Sequence, residues 1–123
     1  MNEINVVALR DLAIAEFADI VAYTSIRHAN ELRIVLIDHS FLDVWFSLTI
    51  RDRYSYHWER RLIDGTIYRH DNARDQNWQH VSTWPKHFYD GSQENVTESH
   101  ISDDPTTALR EFLTFTRIKL AQK

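Results

Sequence analysis

The sequence predicts an α+β two-layer domain. An N-terminal helix, an antiparallel meander of about five strands and a long loop lead to a C-terminal helix packed on the sheet. Three observations carry this expectation. Apolar residues recur at helical spacing near both ends, while residues 31–73 alternate with the period of two that strands require. The chain has 123 residues and is 43% hydrophobic, enough to bury a core and to argue against disorder. It is read as one domain over residues 1–123.

In the first element, Val6, Leu9, Ala13, Phe17 and Ile20 form one apolar stripe over residues 5–17. After it, "DIVAYTSIRHA" becomes increasingly extended. The β-rich runs "ELRIVLID" and "LDVWFSLTI" follow, separated near residues 39 and 40. In the second run Leu42, Val44, Phe46, Leu48 and Ile50 alternate with Asp43, Trp45, Ser47 and Thr49, predicting one buried face. Arg53 to Leu62 and Thr66 to Ala73 flank Asp64-Gly65, a strong hairpin signal. Residues 74–104 are polar and turn-rich, long for a connection, and such loops often carry function. In "SDDPTTALREFLTFTRIKL", Asp104 suits an N-cap and Pro105 the first helical position, with Leu109, Phe112, Leu113, Thr116 and Leu120 on one stripe.

Composition narrows the function classes. The net charge of −4 argues against coating nucleic acid by bulk charge. Even so, Arg51, Arg53, Arg60, Arg61, Arg69 and Arg74 gather a local basic patch. With no cysteine there is no thiolate zinc site, disulfide or thiol nucleophile. Charges at Arg10, Asp11 and Glu16 interrupt the N-terminal apolar run, so neither a signal peptide nor a membrane span is expected, and the default location is cytoplasmic.

The chemistry concentrates in the hairpin. A two-residue turn at Asp64-Gly65 pairs Glu59 with His70, Arg61 with Tyr68, Arg60 with Arg69 and His57 with Asn72. One face then carries His57, Glu59, Arg61, Tyr68, His70 and Asn72; the other carries Tyr56, Trp58, Leu62 and Ile67, with Arg60 and Arg69 among them. A bulged turn shifts that register by one. The polar face supplies a base, an acid and a cation, the inventory for cleaving RNA through its 2′-hydroxyl. Glu opposite His is equally an ordinary favourable cross-strand pair. Arg60 opposite Arg69 calls for splaying into water, a neutralising acid such as Asp71, or a bound anion. His57, His70, His80 and His87 match no zinc spacing, so no metal or cofactor is expected. Trp78, Trp84, Phe88 and Tyr89 either stack on bases or anchor the loop to the core.

The order of three motifs carries a resemblance. "YSYHWER", "DGTIYRHDNAR" and "TWPKHFYDGSQENV", closing in a C-terminal helix, resemble the TumE family of toxin–antitoxin proteins over about residues 30–120. The matches fall at Tyr54, Ser55, Tyr56, His57 and Trp58; at Arg69, Asp71, Asn72 and Ala73; and at Trp84-Pro85, His87-Phe88 and Asp90-Gly91. Two departures stand out. The histidine pair expected after the "DNA" segment is replaced by Arg74, Asp75, Gln76 and Asn77, and Tyr89 stands where a further histidine is expected. His57 and His87 are therefore the leading sites the resemblance implies, with His70 and His80 as substitutes.

The resemblance implies a small toxin partnered by a helix-turn-helix antitoxin. Toxins of this size commonly attack RNA, an analogy of class. The expected endoribonuclease uses His57 or Glu59 as base and His70 or His87 as acid, with Arg60, Arg61, Arg69 and Tyr68 contacting phosphate or RNA. The competing reading is a non-catalytic toxin-like or regulatory module that works through protein contacts.

Overall fold

The computed structural model describes residues 4–122. The expectations for residues 1–3 and 123, including the start of the N-terminal run, lie outside them. Helix α1 (Val6–Glu16) leads into β1 (Val21–His28), β2 (Glu31–Leu36), β3 (Phe41–Phe46) and β4 (Tyr54–Arg60). A single helical turn, α2 (Arg61–Asp64), separates β4 from β5 (Thr66–Asp71). After a 3-10 turn at Gln76–Trp78 come β6 (His87–Gly91), β7 (Val96–Glu98) and α3 (Pro105–Ala121). All strands are antiparallel and stand in chain order, a seven-stranded open meander. The sheet is wider than the five strands expected. β1 forms where the sequence turned extended, and β6 and β7 form inside the stretch read as a loop.

Both terminal helices follow the sequence pattern. Asn5 caps α1 by accepting from Ala8 N, and Val6, Leu9, Ala13, Phe17 and Ile20 are all buried. Asp104 caps α3 through Thr107 N, Pro105 opens it, and Leu109, Phe112, Leu113 and Thr116 are buried. The two helices touch each other and cover the same face of the sheet. Leu32, Ile34, Leu36, Leu42, Val44, Tyr56 and Trp58 meet them from below. Each such side chain contributes about 1.5–3 kcal/mol on burial. In β2 and β3 buried and half-buried residues alternate strictly, so the second sheet face stays open. β3 ends at Phe46, where Ser47 Oγ accepts from the backbone N of Thr49 and Ile50, and Leu48 and Ile50 point into solvent.

The hairpin register differs from the expected one. Asp64-Gly65 is not a two-residue turn. Gly65 sits at φ 79° as the left-handed end of α2, and Asp64 Oδ1 accepts from Thr66 N and Oγ1. Glu59 therefore pairs with Ile67 and His70 with Tyr56. The slip is an odd number of residues, so β5 turns over relative to β4. His70 and Tyr68 join Tyr56 and Trp58 beneath the helices, whereas Ile67 and Arg69 join His57 and Glu59 on the open face. Leu62, expected among the packing residues, is fully exposed on α2.

Arg60 and Arg69 do not oppose each other either. Arg60 pairs with Thr66 and is only 2% exposed, with its guanidinium between Asp38, Asp64 and Ser40 Oγ. It also lies 4.8 Å above the Trp58 ring. This register carries a direct test in denaturant unfolding. Phe112→Ala is expected to cost about 3–5 kcal/mol and Arg60→Ala a similar amount, because the latter strands two acids beside an apolar core. Leu62→Ser should change stability by less than about 0.5 kcal/mol; a large loss there would contradict the placement of α2.

Candidate functional site

The open face of β4, β5 and β6 brings two histidine–carboxylate pairs together. Across the strands, His57 neighbours Arg69 and Arg69 neighbours Tyr89. One step along, Ser55 neighbours Asp71 and Asp71 neighbours His87. His57, Arg61, Arg69, Asp71, His87 and Tyr89 line one cleft of about 620 Å³, with Trp78 at its wall.

In the first pair, His57 Nε2 lies 3.1 Å from Glu59 Oε1. Arg61 also holds Glu59, its backbone N and Nε donating to Oε2 at 2.9 and 3.1 Å and its Nη2 to Oε1 at 3.0 Å. A carboxylate facing Nε2 fixes the proton there and leaves Nδ1 bare, and Nδ1 has no partner. Burial lowers the His57 pKa, and the Arg69 charge adds to this against the pull of Glu59, so the ring is neutral at neutral pH. Burial raises Glu59, but Arg61 and His57 more than offset it, and the acid stays ionised.

In the second pair the balance runs the other way. His87 Nδ1 donates to Pro85 O at 2.8 Å, since a carbonyl can only accept, and Nε2 lies 3.1 Å from Asp71 Oδ1. That second contact is ionic rather than well aligned for a hydrogen bond. Burial lowers the His87 pKa, yet Asp71 raises it further, for a net upward shift. Burial raises Asp71, but His87 and the Arg69 Nε at 2.7 Å bring it below the ordinary carboxylate value. Asp71 also accepts from Ala73 N. One cleft thus holds a histidine whose pKa is lowered and a histidine whose pKa is raised. Access differs: the His57 side chain is 16% exposed and that of His87 1%.

The structure divides the residues expected to act together. His57, Glu59, His87, Arg61 and Arg69 share this face; His70, Tyr68 and Arg60 do not. His70 is fully buried on the helix side between Tyr54 and Tyr56, its Nδ1 2.7 Å from Ser99 Oγ and its Nε2 without a partner. Tyr68 packs on Trp58 and Phe115. His80 is exposed on the loop after the 3-10 turn. Asp71 is the residue that sequence reasoning assigned too little. Its spacing of two from Arg69 was the available signal, because same-face neighbours in a strand share that spacing.

A second cleft of about 570 Å³ opens beside the α3 N-terminus, lined by Phe46, Arg53, Tyr54, Lys86 and Asp103. It contains no histidine, and the Tyr54 hydroxyl, donated to Asp103, is pushed above its ordinary pKa by burial and that carboxylate. The two histidine–carboxylate pairs lie on the open face instead. Among the described residues, no three His, Asp or Glu side chains are placed to hold one metal ion.

Burial of His70 generates a stability prediction. Burial, with Lys86 nearby, lowers its pKa to about 4 from the ordinary 6.5. Between those values the unfolded chain binds a proton that the folded chain refuses, so stability falls as pH drops from 6.5 to 4. The loss amounts to about 3 kcal/mol. Urea unfolding of His70→Phe should show a shallower decline across that window, whereas an unchanged slope would assign the acid sensitivity elsewhere.

Comparison with known proteins joins this geometry to a family. No curated protein and no solved structure matches the chain. Among the described residues, no helix is long and apolar enough to cross a membrane. The family model described as Toxin TumE matches residues 7–120, from the first turn of α1 to the end of α3 and across the whole sheet. TumE toxins generally pair with an antitoxin, and by this match the chain belongs to the TumE toxin family.

Proposed function

We propose that this chain is the toxin of a toxin–antitoxin pair, held in check by a helix-turn-helix antitoxin, and that it acts as an endoribonuclease through the open face of β4–β6. The observation that carries this reading is one cleft holding two histidines, each on its own carboxylate and with pKa values shifted in opposite directions, beside Arg61 and Arg69. Groups whose surroundings push their pKa values apart are suited to opposite halves of acid–base catalysis.

In this mechanism the RNA phosphate lies against Arg61 and Arg69. His57 takes the 2′-hydroxyl proton at Nδ1 while Glu59 steadies the cation that forms. The 2′-oxygen attacks phosphorus, the bond to the 5′-oxygen breaks, and His87 gives its proton to that oxygen. The products are a 2′,3′-cyclic phosphate and a 5′-hydroxyl end. Arg61 and Arg69 face the charge that gathers on the phosphorane oxygens. Because His57 Nδ1 is enclosed and both His87 nitrogens face protein oxygens in the free protein, RNA binding must tip the His57 ring and turn the His87 Nε2–H from Asp71 toward the leaving oxygen. The two histidines supply both proton transfers, so the reading requires no metal or other cofactor.

That screening favours a second reading, a non-catalytic toxin-like or regulatory module in which both pairs fasten the sheet and a protein partner is bound elsewhere. Cleavage of a labelled RNA mixture by the purified chain separates the two. Cleavage is expected with and without EDTA, and His57→Ala should slow it by about 10²–10⁴-fold while remaining folded. The rate should fall below pH 6.5 as His57 takes up a proton at its lowered pKa, and above pH 6.5 as His87 loses one at its raised pKa. Equal rates for wild type and folded His57→Ala would sink the catalytic reading and direct the search to a protein partner.

A further inference from the structure

We infer that the cleft accepts single-stranded RNA, with one unpaired base seated against Trp78 and Tyr89. The inference rests on the RNA reading above and names its substrate class. It begins with the four aromatics of the loop region, which the structure sorts into two kinds. Phe88 belongs to the core, its ring centre 5.4 Å from that of Phe115 and 6.3 Å from that of Phe112. Trp84 is an anchor: its Nε1 donates to Asp75 O at 3.0 Å, and the Arg74 guanidinium lies 4.6 Å above its ring. Trp78 and Tyr89 are half-buried and line the cleft instead.

Their mutual geometry suits a flat ligand. The rings meet edge to face, 6.2 Å between centres at 82°, so one gives a floor and the other a wall. The backbone that carries Trp78 is held before any ligand arrives. Asp75 caps its 3-10 turn by accepting from Asn77 N at 2.9 Å, Trp84 holds the Asp75 carbonyl, and Val81 N closes the next turn on Trp78 O. A turn ordered in advance reduces the freedom lost on binding, and the indole Nε1, buried without a partner, is left with a donor to spare.

The placement relative to the chemistry decides the substrate. His57, Arg69 and Tyr89 are cross-strand neighbours on three successive strands, spanning about 10 Å at ordinary strand spacing. Proton transfer, phosphate and base contact thus lie within the reach of about one nucleotide. Two arginines alone would hold the phosphates of any nucleic acid. An aromatic floor, in contrast, needs an exposed base face, and in a duplex those faces are stacked inside the helix.

The test is binding of a 2′-O-methyl RNA oligonucleotide, which cannot be cleaved because its nucleophile is blocked, as a single strand and as a duplex. The single strand should bind more tightly than the duplex. Trp78→Ala and Tyr89→Ala should each weaken single-strand binding by about 5–150-fold, the equivalent of about 1–3 kcal/mol of base stacking, with duplex binding little changed. Trp78→Phe should recover most of the loss, and thermal melts of each variant exclude unfolding. A purely structural Trp78 would lower the melting temperature and leave the strand preference intact, which overturns the inference. Equal binding of strand and duplex, or no binding, also overturns it. Wild-type cleavage of labelled RNA then tells the failures apart: if cleavage persists only the base seat is lost, and if it is absent the ribonuclease reading falls too.

Discussion

The buried guanidinium of Arg60 is the constraint on which the site depends. It ends β4 at 2% exposure, paired with Asp38 from the β2–β3 turn and Asp64 from α2. A charge taken that far from water is tolerated only when its partners come with it. The pairing therefore holds α2 at the end of β4, in a connection to β5 longer than a tight turn. Trp58 completes the arrangement, since its Nε1 and the Arg60 Nη1 both reach Ser40 Oγ.

The consequence is a choice of face. With β5 turned over, His70 and Tyr68 enter the core, and Arg69 and Asp71 come out beside His57 and Glu59. The displaced residues still contribute. His70 fills space between two tyrosines as a neutral ring and anchors Ser99, which ties the segment before α3 to the sheet. Tyr54 makes a comparable tie to Asp103. One face is thus devoted to cohesion, and the groups with opposed protonation preferences collect on the other.

On that open face, the same two physical effects give opposite results a strand or two apart. Burial disfavours the charged form of both His57 and His87. Glu59 spends much of its charge on Arg61, so desolvation prevails at His57. Asp71 is enclosed and approaches His87 directly, so attraction prevails there. Arg69 links the pairs, bonded to Asp71 and adjacent to His57 in the sheet.

Both helices, their buried stripes and the cap of α3 were legible in the sequence, because Asp104, Pro105 and the 3.6-residue period are local signals. The sequence also pointed to His57, Glu59, Arg69 and His87, which the structure places on one open face. β6 and β7 escaped notice: they are short, and β6 contains Asp90 and Gly91, residues that read as turn. Which residues share a face was settled by strand pairing. A strand's side chains alternate with a period of two, so a slip by an odd number of residues exchanges the whole set. That slip comes with the helical turn of α2, and Arg60 joins it to Asp38, a partner 22 positions earlier in the chain and outside the hairpin.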